Sequence, residues 1–173
     1  MHLNDCYPWK LRKRRNDLVS ISDLIYSAGG HMQRIMVVTD GSEGANRAVD
    51  IAAGLAKALN GILWIVTIRD VKLLSNHMKE IRQLGISENL LERFTKQILT
   101  EAKERANRLG VSDVRIHAFE GDAAETIIDV VKREQIDLLV VGRRGSGRLA
   151  ALPLGSVAQK LTSFCSCCVM VVP

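Results

Sequence analysis

Short, unbroken apolar runs alternate along this chain with stretches in which apolar residues recur every three or four positions. The first pattern marks strands covered on both faces, the second amphipathic helices. Arg34-Ile35-Met36-Val37-Val38-Thr39 is the first such strand, and it breaks at the turn sequence Asp40-Gly41-Ser42. From Ala45 onward, Ala48, Val49, Ala52, Ala56 and Leu59 keep helical spacing until Asn60-Gly61 stops them, as helix C-termini commonly stop. Ile62 to Ile68 is a second strand without polar alternation, and Arg69 to Ser87 reads as a loop with some helix. Leu91, Phe94, Ile98, Ala102, Ala106 and Leu109 trace one face of a long helix closed by Gly110. Val111 to Phe119 reads as a third strand, less apolar than the others. Ala124, Ile127, Val130 and Val131 mark a third helix entered through Gly121-Asp122, with Asp122 placed to cap its first turn. Ile136 to Val141 is the fourth strand; a glycine-rich loop follows, then a helix from about Gly155 to Thr162 and a last strand, Val169 to Val172. Strictly alternating strands and helices, joined by right-handed crossovers, predict an α/β fold: a five-stranded parallel sheet with helices on both faces.

The chain has 173 residues, 47% of them hydrophobic, which suits one domain with one core. Aromatics make up only 4%, in keeping with small side chains between helix and sheet. Net charge is +5, partly from the run Lys10-Leu11-Arg12-Lys13-Arg14-Arg15, and it falls to about +3 without residues 1–31. No aromatics are interleaved with those bases, so nucleic-acid binding is not expected. No apolar run reaches the roughly 18–20 residues a membrane span needs, and Asp23 interrupts the segment after the basic run, against a signal peptide. Residues 1–31 read as an extension, an amphipathic turn or a disordered one; alternatively they are not native, with Gly29-Gly30-His31-Met32 a junction before a natural start at Met32. The domain is then 32–173. Cys165, Cys167 and Cys168 crowd into four residues, and only Cys6 lies elsewhere. That spacing fits neither a disulfide framework nor zinc knuckles. Small thiols filling the last helix-to-strand connection, reduced in a cytoplasmic protein, are expected, with metal or redox chemistry at the cysteines as the alternative.

Candidate chemistry sits after the fourth strand: Gly142-Arg143-Arg144-Gly145-Ser146-Gly147-Arg148, then Leu149 to Leu154, with Gly155-Ser156 opening the last helix. Ligands of open parallel sheets bind beyond the carboxyl ends of the strands. Glycines let backbone N–H groups close on a bound group, and a helix start supplies unpaired donors with partial positive charge; both favour phosphate. The final 36 residues hold no Asp or Glu, whereas Arg143, Arg144, Arg148 and Lys160 are all there. A loop that merely connects strand to helix is the plain alternative. There is no GxxxxGK[ST], hence no Walker A loop. Gly145-Ser146-Gly147-Arg148-Leu149-Ala150 matches GxGxxA, but it follows the fourth strand, has Pro153 close behind, and lacks the acidic residue about twenty positions on that a dinucleotide site uses.

At these residues the chain resembles the universal stress protein family, in its ATP-binding branch. The pattern G-x2-G-x9-G-[ST] is met by Gly142, Gly145, Gly155 and Ser156. The resemblance runs from about Gln33 to the C-terminus and includes Ile35 to Ser42, Glu120-Gly121-Asp122, and Asp137 to Gly142. It implies a Rossmann-like fold of the adenine nucleotide α hydrolase kind, with ATP as ligand, with or without Mg2+ or Mn2+. By the same resemblance Asp40 would lie near ribose and adenine, the backbone at Ile68 would face the adenine, and Gly142, Arg143, Gly145, Gly155, Ser156 and Val157 would hold the phosphates. From the residues alone, Asp40 reads equally well as a turn residue at a helix entry, and Ser42 as an N-cap. The resemblance further implies a homodimer through the last strand, whose apolar edge would be a liability if left open. Cys168 stands where the family commonly has proline, Pro153 falls inside the nine-residue spacer, and the extra arginines are expected to strengthen phosphate affinity or shift the preference among nucleotides. The expected function is a nucleotide-dependent regulatory module in stress response with little or no turnover. The alternatives are a stress-signalling dimer without nucleotide, and a slow ATPase or autophosphorylating enzyme using Ser146 or Ser156, with Asp40 and Asp70 the carboxylates at hand.

Overall fold

The computed structural model describes residues 33–69, 88–145 and 153–173. The expected extension 1–31, the irregular stretch 70–87 with Asp70, and loop residues 146–152 with Ser146 and Arg148 lie outside the described residues. Nine elements alternate through the rest: β1 (Arg34–Val38), α1 (Glu43–Ala58), β2 (Ile62–Arg69), α2 (Glu88–Arg108), β3 (Asp113–Glu120), α3 (Ala123–Arg133), β4 (Leu138–Gly142), α4 (Ser156–Phe164) and β5 (Cys168–Val172). The strands form one parallel sheet in the order β3-β2-β1-β4-β5, within a single unit, Gln33–Pro173.

Strand burial follows from that order. The central strand β1 holds Ile35, Met36 and Val37 without solvent exposure, and all five residues of β4 are buried. Strand β3 is an edge, which is why it reads as less apolar. Side chains alternate between the faces of a strand. Met36, Trp64, Val66, Leu139 and Val141 pack with Ile127, Val130 and Val131 of α3 and Ala158 and Leu161 of α4. The intervening Ile35, Val37, Leu63, Ile65 and Val140 face the other way, toward α1 and α2. There the buried residues are small, Ala45, Ala48, Ala52, Ala53 and Ala56 on α1, so that helix can lie close to the strands.

Helix starts behave as the residues predict. Ser42 Oγ accepts from Ala45 N at 3.3 Å to cap α1, and Asp122 Oδ1 accepts from Ala124 N and Glu125 N, both at 3.1 Å, to cap α3. Two expected strand starts, at Val111 and Ile136, are corrected. Val111 N donates to Ala106 O, and Ile136 N to Val131 O, each closing the helix before it after a left-handed residue: Gly110 at φ +87° and Gln135 at φ +52°. Gly61 N does the same to Ala56 O after Asn60 at φ +49°. The apolar residue following such a cap packs back on its helix, so its burial imitates a strand start. Asp137, between α3 and β4, accepts from Gln33 N and Arg34 N at 2.9 and 2.8 Å and fastens the start of β1 beside β4.

Candidate functional site at the diverging strand ends

Strands β1 and β4 are neighbours, in register from Ile35 opposite Leu138 to Val38 opposite Val141. Beyond β1 the chain leads toward β2, and beyond β4 toward β5 on the opposite side. The two exits diverge, which leaves a crevice at their carboxyl ends where α/β sheets receive ligands.

On the β1 side, Thr39 is buried and its Oγ1 accepts from Gly41 N at 3.2 Å, while Asp40 Oδ1 accepts from Ser42 N at 3.0 Å. One carboxylate oxygen is thereby tied into its own turn. Gly41 sits at φ +79°, and a Cβ there would stand 3.2 Å from Cγ1 of Ile98, so the long helix α2 supports this turn from below.

On the β4 side, Gly142 lies against the first turn of α1: a Cβ would come within 3.1 Å of the Gly44 carbonyl carbon. Arg143 and Arg144 are exposed. The Arg143 peptide is a junction, its N–H donating to Val172 O at 2.5 Å and its carbonyl accepting from Gly155 N at 2.9 Å. Gly145 then meets the other turn, where a Cβ would stand 2.6 Å from Asp40 Oδ2. The fold thus brings Asp40 and Gly145 into contact, and links Gly142, Arg143 and Gly155 through the backbone.

Helix α4 enters this corner. Its N-cap, Gly155, makes no side-chain cap bond, and its first turn has no acidic residue. α1 and α3 by contrast are capped by side chains and carry Glu43 and Glu125 in their first turns. First-turn amides such as those of Ser156 and Val157 have no carbonyl of their own helix to serve them. Ser156 is exposed and Val157 half-buried against the core. Ile68 lies one strand over, near the carboxyl end of β2, in register with Phe119 and with its side chain on the α3 side of the core.

Three expectations are corrected. Gly155 N is bonded to Arg143 O and is not a free donor. Lys160 pairs with Asp122 Oδ2 at 3.8 Å, so its charge is partly offset before any phosphate arrives. The corner is not free of acid, because the topology sets the Asp40 carboxylate against Gly145. Sequence reasoning also missed Gly44 and Ile98, whose signal, a glycine in a helix's first turn and one more apolar helix residue, is shared by many positions without a site. Among the described residues no group of three His, Cys, Asp or Glu side chains is arranged to hold a metal ion, and no helix is long and apolar enough to cross a membrane.

Comparison with known proteins adds to this geometry. The universal stress protein family matches residues 31–173. Universal stress protein YxiE of Bacillus subtilis (strain 168) is 30% identical over 147 residues, 80% of this chain and 97% of that protein. Among solved structures, a universal stress protein in complex with cAMP is 28% identical, with a TM-score of 0.62 over 82% of this chain and 96% of its own. The universal stress protein of Archaeoglobus fulgidus in complex with dAMP shares the fold at 17% identity, with a TM-score of 0.61 over 82% of this chain and 98% of its own.

Proposed function

The chain belongs to the universal stress protein family, and on that footing we propose that it holds ATP in the corner between β1 and β4 and acts through occupancy of that site in a stress response. The observation that carries the reading is the meeting of Asp40 with Gly145 beside a helix start left without a side-chain cap. A relative of 28% identity crystallised with cAMP supports the adenine nucleotide class.

In this reading the amides of Ser156 and Val157, with those of Arg143 to Gly145, receive the phosphates, and Arg143 and Arg144 supply positive charge at the rim. Asp40 accepts from the ribose hydroxyls, and the backbone at Ile68 borders the adenine. Mg2+ or Mn2+ would arrive with the triphosphate, held by its phosphate oxygens and water, which leaves the Asp40 carboxylate to the ribose. The turns 39–42, 142–145 and 155–157 offer no histidine and only that one carboxylate. This is a poor apparatus for activating water, so the nucleotide is held rather than turned over. A second copy pairs along the edge strand β5, where Cys168 and Met170 are exposed, in a cytoplasmic homodimer.

The test is direct. The purified protein is denatured and its supernatant analysed by mass spectrometry, and nucleotide-free protein is titrated with ATP by calorimetry. Adenine nucleotide in the supernatant and one ATP per chain are expected. An empty supernatant together with no heat of binding would overturn the reading.

A further inference from the structure

Helix α2 stands higher on the sheet than α1. Both lie between parallel strands in the chain, so both run from the carboxyl-end side of the sheet back toward its amino-end side. Two contacts fix their relative level. Arg105 Nε of α2 pairs with Asp50 Oδ1 of α1 at 2.8 Å, and a Cβ at Gly41, just before α1, would stand 3.2 Å from Ile98 Cγ1. Ile98 is therefore level with the turn that opens α1, and the part of α2 before it rises past the carboxyl ends of the strands. Phe94, Ile98 and Arg105, four and seven positions apart, share one flank of the helix, the one turned toward α1. On that flank Phe94 lies one turn beyond Ile98, about 6 Å farther out, and Leu90 lies about 12 Å out. Phe94 is 59% exposed and Leu90 50%, whereas Leu99, Ala102 and Ala106 on the inward face are buried. Two large apolar side chains thus stand beside the crevice, above the Asp40 turn and the end of β2, the strand on which α2 packs.

We propose that this wall receives the nucleobase of the bound nucleotide, which stacks on the ring of Phe94 with Leu90 at its edge. The inference rests on nucleotide binding in the crevice and adds to it the surface that takes the base. A flat aromatic heterocycle is the ligand chemistry that suits an exposed phenyl ring, because it buries the ring face and asks it for no hydrogen bond. Its polar edge is left to the backbone at the end of β2. The order of strands agrees with this placement. β2, with α2 packed on it, lies on one side of β1, and β4 lies on the other, with the loop that leads to α4. Base at α2, ribose at Asp40 and phosphates at α4 then follow one another across the sheet in the order in which a nucleotide is built.

Nucleotide-free protein is titrated by calorimetry with ATP and with inorganic tripolyphosphate, which carries the phosphates without the base. Phe94→Ala should lower ATP affinity, and with it the ratio of ATP to tripolyphosphate affinity, roughly tenfold, and Phe94→Tyr should retain the parent's ratio. In Phe94→Trp the new indole should be quenched as ATP saturates the site, beyond any change in the parent's own tryptophans, and tripolyphosphate should leave it bright. Position 94 is exposed, so all three variants should keep the parent's circular dichroism and urea midpoint. Unchanged ATP affinity in Phe94→Ala, an equal loss for tripolyphosphate, or an indole indifferent to ATP would overturn the stacking and leave the phosphate site standing. A parent protein that binds no ATP would overturn both readings.

Discussion

Asp40 and Gly145 show how a single pair can mark a candidate site that neither residue announces. Asp40 was legible as a turn residue because a short acidic side chain before glycine and serine favours a local bond to the backbone. Its meeting with Gly145 was not legible, since it arises only because β1 and β4 are neighbours in the sheet. Gly145→Ala places a methyl group where Oδ2 now lies, 2.6 Å away, and the carboxylate must swing aside and strain its bond to Ser42 N. Fold stability should change by less than about 1 kcal/mol, because the obstructing atom ends a side chain. ATP affinity should fall roughly tenfold, about 1.4 kcal/mol. Asp40→Ala should cost clearly less in the Gly145→Ala background than alone, and calorimetry on the four proteins measures the coupling; strict additivity would separate the two residues. Cys167 sets a different dependence. Burial, aided by the neighbouring Cys165, pushes its thiol from 9.0 up to about 11. The unfolded chain therefore gives up this proton first. The contribution to stability is whole below pH 9 and is lost as pH rises from about 9 to 11. Denaturant midpoints should decline over that window, and less steeply in Cys167→Ser.

At the scale of elements, the strands and helices were legible because apolar periodicity is set by burial, and burial here is nearly complete on both faces of β1, β2 and β4. What periodicity misplaced were two junctions, Val111 and Ile136, where a buried apolar residue closes a helix instead of opening a strand. Gly110 announces the first of these caps. The second is disguised, because Gln135 carries the left-handed conformation with no glycine or asparagine to mark it. A side chain there works against its own backbone, at a cost of about 1 kcal/mol relative to glycine. Gln135→Gly should accordingly raise the free energy of unfolding by about 0.5–1 kcal/mol, with an unchanged denaturant slope. A loss of stability in urea titrations would show that the Gln135 side chain makes a contribution larger than its backbone strain.

Across the whole molecule, one hydrogen-bonded path joins the candidate site to the sheet edge: Gly155 N to Arg143 O, then Arg143 N to Val172 O, with Arg47 Nε holding Pro173 O at 2.9 Å just beyond. A ligand that fixes the Arg143 peptide therefore also supports the end of β5, the strand proposed to pair with a second copy. Binding to the folded state alone raises stability by mass action, about 2.7 kcal/mol at a ligand concentration one hundred times Kd. Gly155→Asp separates that gain from the fold itself. The backbone at Gly155, φ −69° and ψ 154°, suits any residue, and a Cβ there would be 3.4 Å from Arg143 O, an ordinary contact. Aspartate is also a strong N-cap, so its carboxylate would take the first-turn amides of α4 for itself and repel phosphate besides. The variant should thus unfold at the same or slightly higher denaturant concentration than the parent without nucleotide, and gain nothing when ATP is added. If ATP stabilises Gly155→Asp as much as the parent, the phosphates do not rest on α4, and the path through Arg143 carries no signal to β5.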